Sequence, residues 1–149
     1  FKYLLNLYIS KTFKKSTFNI GLFGSAELPQ QIDSENFYYQ YGNMYLFSLV
    51  GSYYMTEKVT FGLEARSETR NKATRENDQV VESSGYNIVY AVPHISYAFA
   101  NNWFLAVNAD LPVYRYYNGI QLGNKFAVSA RISYSISFDK NNFKELEIN

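Results

Sequence analysis

One stretch near the end of the chain alternates so strictly that it admits a single local structure. Residues Phe126 to Phe138 read FAVSARISYSISF. Phe126, Val128, Ala130, Ile132, Tyr134, Ile136 and Phe138 fall on one side of a two-residue repeat. Ala127, Ser129, Arg131, Ser133, Ser135 and Ser137 fall on the other. Successive side chains of a β-strand point to opposite faces, so this is a strand with one oily and one wet face. A run of 13 residues exceeds the roughly 5–6 usual in soluble proteins. It meets the roughly 9–11 needed to cross a bilayer at a tilt.

The same design recurs upstream. Tyr3, Leu5, Leu7, Ile9 and Phe13 share a face with Lys11, opposite Asn6, Tyr8, Ser10 and Thr12. Phe18, Ile20, Leu22, Gly24, Ala26 and Leu28 oppose Asn19, Gly21, Ser25 and Glu27. Tyr45, Phe47, Leu49, Gly51 and Tyr53 oppose Ser48 and Ser52, and Val59, Phe61, Leu63 and Ala65 oppose Thr60, Glu64, Arg66 and Glu68. Trp103, Leu105, Val107, Ala109, Leu111 and Val113 oppose Asn108 and Asp110. Tyr86 to Phe99 has two readings. Either Pro93 marks a bulge that switches faces, or Tyr86, Ile88 and Tyr90 point to the wet side.

These seven strands are joined by connections of two kinds. Short turns at Lys14–Ser16, Thr56–Lys58 and Ala100–Asn102 alternate with long polar segments near Gln30–Asn43, Arg70–Ser84 and Arg115–Asn124. Transmembrane barrels have short periplasmic turns and longer extracellular loops, and a soluble sandwich has no reason to keep the alternation. The parity puts the end of the last strand on the periplasmic side. Aromatics gather at both ends: Phe13, Phe18, Tyr53, Tyr54, Phe99, Trp103 and Phe138 by the short turns, and Phe37, Tyr38, Tyr39, Tyr41, Tyr86, Tyr114, Tyr116 and Tyr117 by the long loops. Phe13, Tyr53, Phe99, Trp103 and Phe138 are the expected membrane-interface residues.

Composition narrows the choice. Aromatics make up 19% of the 149 residues, yet mean hydropathy is −0.27, below what a helical membrane protein shows. The uncharged stretches Asn36–Thr56 and Ser83–Ala109 are broken by Asn, Gly, Ser and Gln, so neither is a transmembrane helix. The absence of cysteine removes disulfides and cysteine-bound metals, and a net charge of +1 gives no pull toward nucleic acid. Phe1 opens directly into a strand-like run with no signal peptide, which an outer-membrane protein should have, so the expectation is a mature, truncated or partly represented chain.

Candidate chemistry lies on the wet face. Glu64, Arg66 and Glu68 follow one another on one strand, and pairing across the last loop is expected to bring Asp110 level with Arg131. With the single histidine, His94, they form the expected lumen-facing set. They serve either as a mixed-charge constriction that filters solutes or as a salt-bridged plug. His94 with Ser96 or Asp110 could be drawn as a triad fragment, but no nucleophile elbow accompanies it, and a structural histidine is the expectation. No metal site and no cofactor are expected. The segment RNKATRENDQVVESS, Arg70 to Ser84, reads as a solvated outer loop.

The last third carries a resemblance. Ile95–Phe138 contains LPVY at Leu111–Tyr114, NGIQLG at Asn118–Gly123 and the alternating strand ending in Phe138. It resembles the C-terminal hairpins of outer-membrane proteins grouped with the meta-pathway phenol-degradation family, a set described as transporters. The resemblance implies a small-solute channel without identifying the solute. A terminal Phe also resembles the signal read by the barrel-assembly machinery, although eleven residues follow Phe138 here.

The expectation is therefore an all-β chain: a transmembrane antiparallel up-and-down β-barrel of the outer membrane. Bacterial barrels have even strand numbers from eight, so seven strands imply part of a larger barrel. Residues 1–138 would be its C-terminal strands and 139–149 a polar periplasmic tail. Its partners would be outer-membrane lipid, small solutes if it conducts, and other outer-membrane proteins. The alternative function is a non-conducting structural or accessory barrel in a larger outer-membrane complex. No enzyme activity is expected.

Overall fold

The alternation demands extended chain, and the computed structural model is all-β, describing residues 2–13, 18–29, 32–34, 37–76, 79–100 and 102–136. In chain order the strands are β1 (Lys2–Thr12), β2 (Phe18–Pro29), β3 (Ile32–Ser34), β4 (Phe37–Gln40), β5 (Met44–Tyr54) and β6 (Val59–Arg70). They continue with β7 (Thr74–Arg75), β8 (Gln79–Val80), β9 (Tyr86–Ala100), β10 (Trp103–Tyr117) and β11 (Ala127–Tyr134). The seven long strands form one antiparallel meander, β1-β2-β5-β6-β9-β10-β11. The expected seven strands and their order are thus present. The sheet does not close: among the described residues no strand pairs with the outer edge of β1 or β11. Both edges run from the long-loop end to the short-turn end, so direct closure would be a parallel pairing.

Register fixes which side chains share a face. The rungs Ile9↔Leu22, Leu22↔Leu49, Leu49↔Ala65 and Ala65↔Ala91 run across five strands. Ala91↔Leu111 carries the row onto a sixth. Nearer the short turns, Phe18↔Tyr53, Tyr53↔Phe61, Phe61↔Ile95, Ile95↔Val107 and Val107↔Ala130 do the same. This apolar face is the open one. Phe47 is 57% exposed and Leu63 53%. The opposite, polar face is the enclosed one: Ser48 is 2% exposed, as is Val92. Water-soluble folds hide apolar side chains, so this sheet has the reverse polarity.

Of the two readings of Tyr86 to Phe99 the second holds, and the last strand departs from expectation. β9 keeps an unbroken register with β6 through Pro93, so Tyr86, Ile88 and Tyr90 do point to the polar face. The irregularities lie instead in the β9–β10 pairing, between Pro112 and Tyr114 and between Trp103 and Phe104. The final strand is also shorter than its alternation suggested. β11 pairs over Ala127–Tyr134, Phe126 precedes the pairing, and Phe138 with the tail 139–149 lies outside the described residues.

The connections alternate as expected, with the turn at Lys14–Ser16 outside the described residues. At Thr56 the hydroxyl accepts the N–H groups of Lys58 and Val59, and Asn102 takes a φ of 66° in the turn after β9. The long connections are more ordered than polar loops need be. β3, β4, β7 and β8 form a second, four-stranded sheet. The rung Tyr39↔Arg75 ties the first long connection to the second, and Ser84 Oγ accepts from Ala73 N at 2.9 Å. Arg70 to Ser84 therefore opens within β6 and carries β7 and β8, because backbone groups of the neighbouring connection are there to pair with. Asn118 and Gln121 bind the third connection to the second. Asn118 Nδ2 donates to Glu82 O (2.9 Å) and Ser84 O (3.2 Å), and Gln121 Nε2 donates to Gly85 O (2.8 Å).

Aromatic side chains border the apolar face at both ends. By the short turns Phe13 stacks on Phe18 at 6.4 Å, and Trp103 stands between Phe99 (6.3 Å) and Tyr134 (5.0 Å). Tyr53 and Phe61 complete this row. By the long loops the exposed row is Tyr3, Tyr45, Tyr114 and Tyr116. Tyr86 and Tyr117, expected there from sequence, pair on the polar face instead, with ring centroids 6.4 Å apart. Tyr38 and Tyr39 belong to the small sheet.

Candidate functional site

The polar faces of β5, β6, β9 and β10 converge on Arg66. Its sequence position, with Glu64 and Glu68 two residues to either side, keeps all three on one face of β6. Arg66 stands opposite Ser48 on β5 and Tyr90 on β9. The guanidinium leans away from β5 toward β9, where it lies over the Tyr90 ring, 4.9 Å from the ring centroid. A guanidinium over an aromatic face is attracted by the ring quadrupole.

The guanidinium spans β9 to reach β10. Arg66 Nη2 lies 2.7 Å from Asp110 Oδ2, and Nη1 lies 4.0 Å from Glu64 Oε1. Both partners of the shorter pair are about a quarter exposed or less, with side chains 20% and 27% accessible. Arg66 Nε has no partner among the described residues. Asp110 also accepts from Asn108 Nδ2 at 3.5 Å, and Asn108 Oδ1 accepts from Ser129 Oγ at 2.7 Å. The polar line Ser129–Asn108–Asp110–Arg66 thus crosses four strands, from β11 to β6.

A second group lies toward the long loops. Tyr86 donates its hydroxyl to Glu68 Oε1 at 2.5 Å. Arg70 Nη2 lies 3.9 Å from Glu27 Oε1 and donates to Met44 Sδ at 3.1 Å. Arg115 Nη1 donates to the Asn124 carbonyl at 3.1 Å. Toward the short turns, the His94 ring packs against Gly62, its register partner on β6. A Cβ at Gly62 would fall 2.0 Å from His94 Nε2, so the glycine is what admits the ring.

Of the sequence-derived set, Glu64, Arg66, Glu68, Asp110 and His94 all lie on the polar face, and Arg66 brings Glu64 and Asp110 together. Arg131 shares the face but not the cluster. It stands opposite Ala106 on the exposed edge strand, while Asp110 stands opposite Ala127. The Asn108–Ser129 hydrogen bond and the Trp103–Tyr134 contact hold this register. Asp110 therefore pairs with Arg66 and not with Arg131. Sequence reasoning grouped neither Glu27, Arg70, Arg115 nor Tyr90 with the site. Arg70 carried a usable signal, since it continues the every-second-residue series from Glu64. Of the interface aromatics, Phe13, Tyr53, Phe99 and Trp103 are exposed at the short-turn end.

The arrangement is a ladder of opposed charges across the enclosed face of a sheet, able to hold polar or charged groups by ion pairing and hydrogen bonding. The carboxylate of Asp110 is engaged by Arg66 and Asn108 and not by His94. Among the described residues no cluster of three His, Cys, Asp or Glu side chains could hold a metal, and no helix is long and apolar enough to cross a membrane, which has no bearing on strands. No protein-family model matches the chain, and no curated protein matches it.

Proposed function

We propose that this chain forms part of the wall of a bacterial outer-membrane β-barrel, and that the barrel passes small solutes along the face built around Arg66. The observation that carries the reading is the reversed polarity of the sheet. A continuous apolar face is exposed while charges occupy the enclosed face, as a lipid-facing wall around a polar lumen requires. The two aromatic rows support it. Trp103 and Tyr114 are separated by about 36 Å of strand at roughly 3.3 Å per residue. A tilt near 45° reduces that to about 25 Å, the height of the apolar band in such barrels. Short turns then face the periplasm and long loops the exterior. The resemblance of Ile95–Phe138 to the phenol-degradation-like family supports a solute-passing role.

Conductance across a planar bilayer tests the proposal. Purified full-length protein should give discrete steps whose ion selectivity shifts toward anions in Asp110→Asn and toward cations in Arg66→Gln. A protein that inserts but never conducts favours the second reading, a structural or accessory barrel. The mutual neutralisation of Arg66 and Asp110 at 2.7 Å favours that reading, because a satisfied cluster braces a wall without a solute. Fractionation with soluble protein, in the absence of detergent, would overturn both.

A further inference from the structure

Among the described residues, the apolar face carries a large hollow and, near it, the cation Lys11. The hollow is a notch of about 480 Å³ around Gly51, between Phe18, Ile20, Tyr53, Phe61 and Leu63. It exists because Gly51 lacks a side chain in a row of large ones: its register neighbours are Ile20 on β2 and Leu63 on β6. The Phe18 ring forms one wall, 3.5 Å from where a Gly51 Cβ would stand. The volume falls within the roughly 300–1,000 Å³ of small-molecule sites, and the lining is almost wholly hydrocarbon.

Lys11 stands on the same face, opposite Ile20. A lysine there is out of place among Leu7, Ile9, Leu22 and Leu49. Its ammonium is held 5.5 Å over the Phe13 ring, and Phe13 stacks on Phe18. The contacts thus run without a break from the cation at the short-turn rim to the wall of the notch. A lysine in this position keeps its stem on apolar surface and its charge at the headgroup level.

We infer that Lys11 and the Gly51 notch form a binding site for one anionic phospholipid of the periplasmic leaflet, with the phosphate at Lys11 and an acyl chain in the notch. The inference rests on the apolar face being the lipid-facing one. Charge complementarity selects the occupant, because a second protein wall would meet Lys11 with a carboxylate and leave the notch to be filled by side chains. A phospholipid supplies both a phosphate and a flexible chain from a single molecule. Tyr53, half exposed at the rim, adds a hydroxyl at the same level.

Native mass spectrometry of the full-length protein, extracted from membranes in mild detergent and relipidated with a mixture of phosphatidylglycerol and phosphatidylcholine, tests the site. The wild type should retain phosphatidylglycerol in preference to phosphatidylcholine. Gly51→Leu, which fills the notch and displaces the acyl chain, and Lys11→Glu, which repels phosphate, should each lower that retention about tenfold, roughly 1.4 kcal/mol of lost apolar burial in the first and of lost charge attraction in the second. Lys11→Arg should keep it. Gly24→Leu is the control on the same face, since a Cβ there meets nothing within 4 Å; retention should be unchanged. Equal retention in all variants, or loss with Gly51→Leu but not with Lys11→Glu, overturns the assignment. A wild type that is extracted only by detergent yet holds no anionic lipid overturns this inference alone, whereas one that needs no detergent overturns the membrane reading beneath it.

Discussion

Arg66 on β6 pairs with Asp110 on β10 at 2.7 Å, reaching over the intervening strand β9. The contact joins elements that share no backbone hydrogen bonds, so it braces the sheet across three strands and not a single ladder. Removing Asp110 alone leaves a partly enclosed guanidinium whose Nε already has no partner among the described residues. Asp110→Asn is expected to cost about 1–3 kcal/mol, and a cycle with Arg66→Gln should return a coupling of about 1 kcal/mol. Urea-dependent unfolding in detergent or lipid measures both. Additive single losses would mean that the pair contributes only its separate packing.

The exposed apolar face predicts a depth dependence that a soluble sheet would not show. Leu49→Arg, midway between Tyr45 and Tyr53 on the apolar face, should destabilise the lipid-inserted protein by about 2–4 kcal/mol, and Tyr53→Arg, in the aromatic row, by about 0–1 kcal/mol. Refolding into bilayers reads the difference. Equal tolerance at both positions would place this face in water.

Gly62 makes a sharper packing test. A Cβ there collides with the His94 ring and also comes within 2.9 Å of the Gly51 carbonyl. Gly62→Ala should lose about 1–3 kcal/mol as the imidazole is displaced. Adding His94→Ala should recover most of the loss, because the ring is the closer obstacle. A double variant no more stable than Gly62→Ala would show that the Gly51 carbonyl, and not the ring, sets the constraint.

The sequence displayed the strands and their faces because period-two alternation is a local signal, and each face has to match across the sheet. Ser48, Glu64, Arg66, Asp110 and Asn108 all lie where alternation puts them. The partner of Asp110 was not legible, because register depends on how the 118–126 connection folds, and shifting a rung by two residues leaves every face unchanged. The side-chain contacts at Asn108–Ser129 and Trp103–Tyr134 settle the register, and no single-strand pattern encodes them. The same limit hid the second sheet. Two-residue strands such as β7 and β8 are too short to alternate and exist only because β4 lies alongside. Tyr86 was ambiguous because Pro93 suggested a bulge, whereas the bulge occurs at the other strand of the pair, beside Pro112.

The third long connection gives a test of both rigidity and orientation. Asn118 Nδ2 donates to Glu82 O and Ser84 O, and Gln121 Nε2 donates to Gly85 O and to Asn118 O at 2.8 Å. These bonds hold the 118–126 segment against the second long connection, with Lys125 exposed beside it. Each net hydrogen bond contributes about 1 kcal/mol. Losing the pair from Gln121 should therefore favour local opening by roughly tenfold or more, since 1.4 kcal/mol is one decade. Gln121→Ala should accordingly be cut by trypsin at Lys125 roughly tenfold faster than wild type, in the regime where cleavage follows the open population. Added to intact cells, trypsin should make this cut, because the long connections face outward in the proposed orientation. Cleavage that appears only after the outer membrane is permeabilised would reverse that orientation while leaving the fold untouched.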